Sequence, residues 1–148
     1  MPRTLQDRMF KEMALKDIFR QAQNYAFEYA DIVAERKVYP SAQTIADLET
    51  FVEEIPRSTG NAADVLEQLN RYGTPASVAQ TGGRYFGFVN GGVIPVSLAA
   101  RWLSDFWDQN SALQVTSPIN AKLEEVCESW LRELLGLPEN VVAGFVSG

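Results

Sequence analysis

Apolar residues recur at helical spacing along most of this chain, and the clearest case begins at Ser117. Ser117 and Pro118 are typical of a helix start, with serine as the capping residue and proline at the first helical position. Gly136 and Pro138 then predict the end of the helix. The apolar face would be formed by Ile119, Leu123, Val126, Cys127, Trp130, Leu131, Leu134 and Leu135. This pattern predicts an amphipathic helix.

Other segments have the same periodicity. From Thr4 to Glu35 neither proline nor glycine interrupts it, so we predict one long helix that packs in the core or on a partner subunit. Shorter helices are predicted from Ser41 to Phe51, from Asn61 to Gly73, and from Pro95 to Gln109. The apolar run from Val141 to Gly148 is typical of a short strand that enters a glycine turn. The sequence therefore predicts a mainly α chain of about five helices with a short C-terminal strand.

Two segments between these helices have no regular period. Residues Gly73 to Gly83 are rich in Gly, Pro, Ser and Thr, which predicts an exposed connection. The next segment, Arg84 to Gly92, reads RYFGFVNGG and concentrates aromatic residues among glycines. Such a composition suggests a backbone fitted closely against something else. A buried, hairpin-like crossing that packs the core is an equally good interpretation.

Charge excludes several classes of partner. With 13 Lys and Arg against 19 Asp and Glu, the formal net charge is −6. This acidic balance argues against a nucleic-acid partner and against an anionic membrane surface. No apolar stretch approaches the roughly 20 residues of a membrane-spanning helix. The charged N-terminal segment also lacks the apolar core of a secretory signal. We therefore expect a soluble, cytoplasmic protein.

Conventional catalytic and metal-binding side chains are scarce. The chain contains no histidine and one cysteine, Cys127, which excludes Ser-His-Asp and Cys-His catalysis and the common zinc sites. Cys127 falls on the apolar helix face and is interpreted as a structural thiol. The lysines, Lys11, Lys16, Lys37 and Lys122, lie in charged settings typical of solvated amines. We predict no catalytic residue and no metal site within this chain.

Four segments resemble, in order and spacing, the group II pyridoxal-phosphate decarboxylases, the family of the aromatic-amino-acid and glutamate decarboxylases. They are RYFGFVNGG (84–92), WDQNSALQVTSP (107–118), LEEVCESWLRELLGLP (123–138) and GFVSG (144–148). The upstream helices, with ERKVYP at 35–40, agree more loosely. Several linked segments in register are more specific than any single short motif.

The resemblance implies a part of a fold type I enzyme with an α/β parent fold. Residues 1–83 would form an N-terminal helical segment that embraces the other subunit of a homodimer. Residues 84–148 would form a substrate-pocket segment and the start of the large domain that binds pyridoxal 5′-phosphate. The complete enzyme would be a carboxy-lyase that acts on an amino acid.

The same resemblance implies site residues. Phe88, Val89 and Asn90 match the positions nearest the substrate, and Ala112 and Leu113 match a segment that approaches the pocket across the dimer interface. Gly148 matches the edge of the loop that binds the cofactor phosphate. Such a wall, apolar at Phe88 and Val89 and polar at Asn90, does not decide between an aromatic and an acidic substrate.

The chain departs from the family pattern in two ways. The family's phosphate loop, ring-stacking histidine, aspartate partner of the ring nitrogen and Schiff-base lysine all follow the segment matched here. We therefore expect this chain alone to be inactive and not to bind the cofactor stably. The second departure is Gly82-Gly83, where many family members have His-Pro.

Two other interpretations remain open. A stand-alone helical interaction module derived from such an enzyme would bind itself or a full-length relative. An unrelated four- or five-helix domain would explain the helical pattern, but it would leave RYFGFVNGG and GFVSG without a role. One feature argues against independent folding as a stand-alone module: Phe86, Phe88, Phe145 and Val146 would lie beside a missing sheet, which predicts an exposed apolar patch.

The intact mass of the protein purified from its natural source distinguishes a part of a decarboxylase from a stand-alone interaction module. We expect a mass several-fold above the 16.5 kDa of this sequence, measured by mass spectrometry. A mass that matches this sequence would instead support a short interaction module.

Overall fold

The structure is a computed structural model that describes residues 4–146. The chain divides into two compact units, Met1–Val93 and Ile94–Gly148, called here the first and second units. The prediction for Gly148 lies outside the described residues.

The first unit is helical. Its α-helices are α1 (Leu5–Leu15), α2 (Asp17–Ile32), α3 (Ala42–Ala46), α4 (Ala62–Gln68) and α5 (Thr74–Ala76). A 3-10 turn at Asp47–Phe51 extends α3, and a π-helical turn at Leu69–Gly73 joins α4 to α5.

The expected single helix from Thr4 to Glu35 is wrong, because the chain breaks at Lys16. Thr4 and Asp7 form a capping box at the start of α1, and Lys16 ends that helix in the left-handed conformation, with φ 61° and ψ 15°. The Arg20 guanidinium stabilises the break by donating to the Leu15 carbonyl at 2.8 Å and to Asp17 Oδ1 at 2.9 Å. The hydrogen bonds of the Arg20 side chain thus stabilise the end of a helix that the apolar periodicity predicts to continue.

The other helix starts in this unit agree with the predictions. Ser41 caps α3 by accepting from the Thr44 amide, and Asn61 caps α4 by accepting from the Ala63 amide. The Gln21 side-chain amide joins α2 to α4 by donating to the Ala63 carbonyl at 3.0 Å.

The prediction of an exposed connection from Gly73 to Gly83 is wrong. This stretch contains α5 and also Ala79, which is only 1% exposed and is the buried apolar residue of the described chain. The Ala79 amide donates to the Val38 carbonyl at 2.9 Å, and the Arg36 guanidinium donates to the carbonyls of Thr74, Pro75 and Ser77. A segment with a loop-like composition is therefore tied to the end of α2.

The second unit contains α6 (Pro95–Trp107) and α7 (Pro118–Leu135). As predicted, Ser117 caps α7, accepting from the Asn120 amide at 3.4 Å, and Gly136 ends it in the left-handed region at φ 62°. Helix α6 ends two residues earlier than predicted, because Asp108 adopts φ 47°.

The predicted C-terminal strand is not present among residues 141–146, which have no regular secondary structure. A strand is stabilised by hydrogen bonds to a neighbouring strand, and the described residues include no strand that could pair with this one. The mainly α expectation is otherwise confirmed.

The apolar faces of the helices remain largely exposed in the described chain. Examples from α1 are Leu5, Met9, Phe10 and Met13. Phe86, Phe88, Phe145 and Val146 are also exposed, as predicted. Between residues 4 and 146, no helix combines the length and apolarity that crossing a membrane requires.

Replacing Lys16 by glycine should stabilise the first unit by about 1 kcal/mol, because glycine adopts positive φ without steric cost. The matched control is Lys11→Gly, inside α1, which should lower the free energy of unfolding by about 1 kcal/mol. Urea unfolding followed by circular dichroism measures both variants. A loss of stability in Lys16→Gly would contradict the left-handed joint.

Candidate functional site

The segment Arg84–Gly92, called here the aromatic loop, closes at its base. Gly91 lies against the Gln80 carbonyl so closely that an added Cβ would be 2.6 Å from that oxygen, and its φ is +111°. The Tyr85 ring borders Gly87 and Gly91. Glycine is required at position 91 by both the close approach and the positive φ. The compositional prediction of a closely fitted backbone is thus correct at this position.

The tip of the loop is a tight turn with an unusual sequence. The Asn90 amide donates to the Gly87 carbonyl at 3.1 Å, and the two central residues, Phe88 and Val89, have φ 53° and 57°. Positive φ at both central positions is the pattern of a type I′ turn, which prefers Asn and Gly. An aromatic and a β-branched residue there store backbone strain of about 1–3 kcal/mol each.

This turn presents its side chains to solvent. Phe86 is 93% exposed, Phe88 is 91% exposed, and Val89 and Asn90 are also exposed. The alternative of a buried hairpin-like crossing is therefore wrong in the described chain. Strain and exposure of large apolar side chains both cost free energy, and such features cluster at binding sites.

The loop is held against the C-terminal end of α2. Arg84 Nη2 donates to the Ala34 carbonyl at 2.8 Å and to the Arg36 carbonyl at 2.9 Å. A Cβ added at Gly82 would be 2.9 Å from the Val33 carbonyl oxygen, whereas one at Gly83 would meet nothing within 4 Å. This packing therefore leaves no room for a side chain at position 82.

The second candidate segment, residues 110–117, is also held by hydrogen bonds within the segment. Asn110 Oδ1 accepts from the Ala112 amide, and the Thr116 hydroxyl donates to the Asn110 and Leu113 carbonyls, both at 2.8 Å. Ser117 is 1% exposed and fixes this turn to α7. Ala112 and Leu113 lie on the outside of the turn, where both are exposed.

An open cavity of about 210 Å³ lies beside this turn in the second unit. Cys127 is half-buried and borders the cavity, so its thiol is less enclosed than the structural interpretation predicts. The cavity is lined by Ser111, Asn120, Leu123, Glu124, Cys127 and Phe145.

The structure thus groups the predicted residues in two sets. Phe88, Val89 and Asn90 share one turn of the first unit, and Ala112 and Leu113 share one turn of the second. In residues 4–146 no three acidic, histidine or cysteine side chains are close enough to hold a metal ion.

The residues that hold the aromatic loop in place could not be identified from the sequence pattern. Arg36 and Arg84 are 48 positions apart, whereas apolar periodicity predicts only which residues share a face within a few turns of one helix. The available signal was Gly82, where an added Cβ would be 2.9 Å from the Val33 carbonyl oxygen.

The comparisons with known proteins identify a fold. No protein-family model matches the chain. No curated protein matches it significantly. Among solved structures, the chain is similar to mouse CSAD, a cysteine sulfinic acid decarboxylase, with a TM-score of 0.72 and 20% sequence identity. The match covers 84% of this chain and 27% of the mouse protein, so the chain spans about a quarter of that protein's length.

The close contact at Gly82 predicts a difference between two adjacent glycines. Gly82→Ala should lower the free energy of unfolding by about 1–3 kcal/mol, because the added methyl would be 2.9 Å from a backbone carbonyl oxygen and the backbone would have to shift. Gly83→Ala is the matched control and should be neutral or slightly stabilising. Equal effects in urea unfolding would contradict the described packing of the loop on α2.

Proposed function

We propose that this chain is the N-terminal part of a fold type I, pyridoxal-phosphate-dependent amino-acid decarboxylase. Within that enzyme it would contribute contacts between the subunits of a homodimer and one part of the wall of the substrate pocket. The observation that carries the proposal is the fold similarity to a decarboxylase of which this chain matches about a quarter. The order and spacing of the four resembling segments support it independently.

The geometry of the aromatic loop suits a pocket wall. Phe88 and Val89 project apolar side chains from a strained turn, with the Asn90 amide beside them. Apolar walls exclude water and weaken the solvation of a substrate carboxylate, while one polar group can orient the bound molecule. The second turn would add Ala112 and Leu113 to this wall from the other subunit.

The exposed helices suit a subunit contact. Helix α1 presents Phe10 at 65% exposure together with two methionines, and α2 presents Phe27 at 52%. Exposed apolar residues of this size mark protein interfaces, because leaving them in water forgoes their hydrophobic free energy. The stand-alone interaction module would use the same residues, and the intact mass decides between the two.

The lysines of this chain do not have the setting typical of a lysine that binds the cofactor. All four lysines are exposed, and Lys122 is paired with Glu125. A lysine that binds the cofactor covalently is normally enclosed in the site, where its amine can be deprotonated. When bound in the complete enzyme, pyridoxal 5′-phosphate would supply the electron sink for the departure of carbon dioxide. This chain would only bind, orient and shield the substrate.

Replacing Asn90 by alanine in the complete enzyme tests the pocket assignment. We expect the Michaelis constant to rise or the turnover number to fall by about tenfold, because a polar contact to the substrate is lost. Steady-state release of carbon dioxide should be measured with aromatic and acidic amino acids. The matched control is Asn140→Ala, an exposed position after α7 and outside both turns, which should leave kinetics unchanged.

Two results would contradict the proposal at different levels. Unchanged kinetics of Asn90→Ala with every amino acid would remove Asn90 from the pocket. No decarboxylation of any amino acid by the unmodified complete protein, supplied with the cofactor, would overturn the function itself.

A further inference from the structure

The carbonyl groups that follow α2 are natural binding partners for cations. Residues 33–36 form turns and a bend just beyond Ile32, the last residue of α2, near the negative end of the helix dipole. The last turn of α2 contains no basic residue. Two arginines from elsewhere occupy this region, Arg36 just beyond the helix and Arg84 at the first position of the aromatic loop.

Arg36 fixes the chain that follows α2. Its guanidinium donates to the carbonyls of Thr74, Pro75 and Ser77 at 3.0, 2.9 and 3.3 Å. It also lies over the Tyr29 ring, 5.1 Å from the centroid, an arrangement that favours a cation. The backbone carbonyl of Arg36 is therefore held in a defined position.

Arg84 binds that fixed carbonyl and its neighbour at Ala34. Phe88 lies four positions after Arg84, and the Gln80–Gly91 contact closes the base of the loop. A small rotation of the loop about its base would move the tip farther than the base itself. The hydrogen bonds of the Arg84 side chain thus restrain the orientation of the loop at its first residue.

We propose that Arg84 is a positioning residue, which sets the orientation of Phe88, Val89 and Asn90 by anchoring the aromatic loop to the end of α2. This inference rests on the proposed function, since the oriented groups would meet the substrate. Arg84 itself would not contact the substrate. Lysine at 84 would keep the charge but would lose the planar fork and part of the reach.

The test uses the complete enzyme with Arg84→Met, Arg84→Lys and the control Arg101→Met. Among residues 4–146, Arg101 forms an exposed ion pair with Asp105 at 3.9 Å in the second unit. In Arg84→Met, we expect amide hydrogen exchange of residues 85–91 to rise about tenfold and the Michaelis constant to rise by a similar factor. Arg84→Lys should recover part of both effects, and Arg101→Met should change neither.

Each of the other possible outcomes contradicts a specific part of the proposal for Arg84. Unchanged exchange in both Arg84 variants would show that Arg84 does not anchor the loop. Faster exchange with unchanged kinetics would overturn the positioning role. If the unmodified enzyme decarboxylates no amino acid, the proposed function fails and the substrate part of this inference fails with it. The exchange measurement then still reports whether the anchor exists, so the two failures are distinguishable.

Discussion

The first unit depends on the backbone carbonyls of residues 33–38, the segment that follows α2. These groups lie beyond the last helical residue, so each must find a donor elsewhere in the chain or remain in water. The Ala34 and Arg36 carbonyls accept from Arg84, the Val38 carbonyl accepts from the Ala79 amide, and the Val33 carbonyl packs against Gly82. One short stretch of chain after a helix thereby fixes a segment some 40 residues away in sequence.

This arrangement explains how a loop can be ordered without a large core beneath it. Ala79 is the apolar residue that the described chain buries, so hydrophobic burial contributes little to holding the aromatic loop. Charge-assisted hydrogen bonds from arginine to backbone carbonyls provide a directional restraint instead. They leave Phe88 and Val89 free to meet a ligand or another protein surface, at the cost of an apolar, strained turn.

Local features of the fold were predictable from the sequence. The starts of α3, α4 and α7 follow from Ser41, Asn61 and Ser117, since a cap bonds to amides only two or three residues away. The break at Lys16 was missed, because neither glycine nor proline marks it and Arg20 stabilises it through a side-chain contact. The absence of a strand at 141–146 has a different cause, because a strand forms only against a partner strand, which local sequence does not specify.

The sequence by itself determined the helical character of the chain, most helix boundaries and the unusual character of residues 84–92, because capping, periodicity and glycine content act over a few residues. Only the tertiary structure decided that Gly73–Gly83 packs on the end of α2 and that the loop presents Phe88, Val89 and Asn90 outward. The physical reason is that a guanidinium or a glycine meets carbonyls tens of residues away, and no local pattern encodes which carbonyls those are.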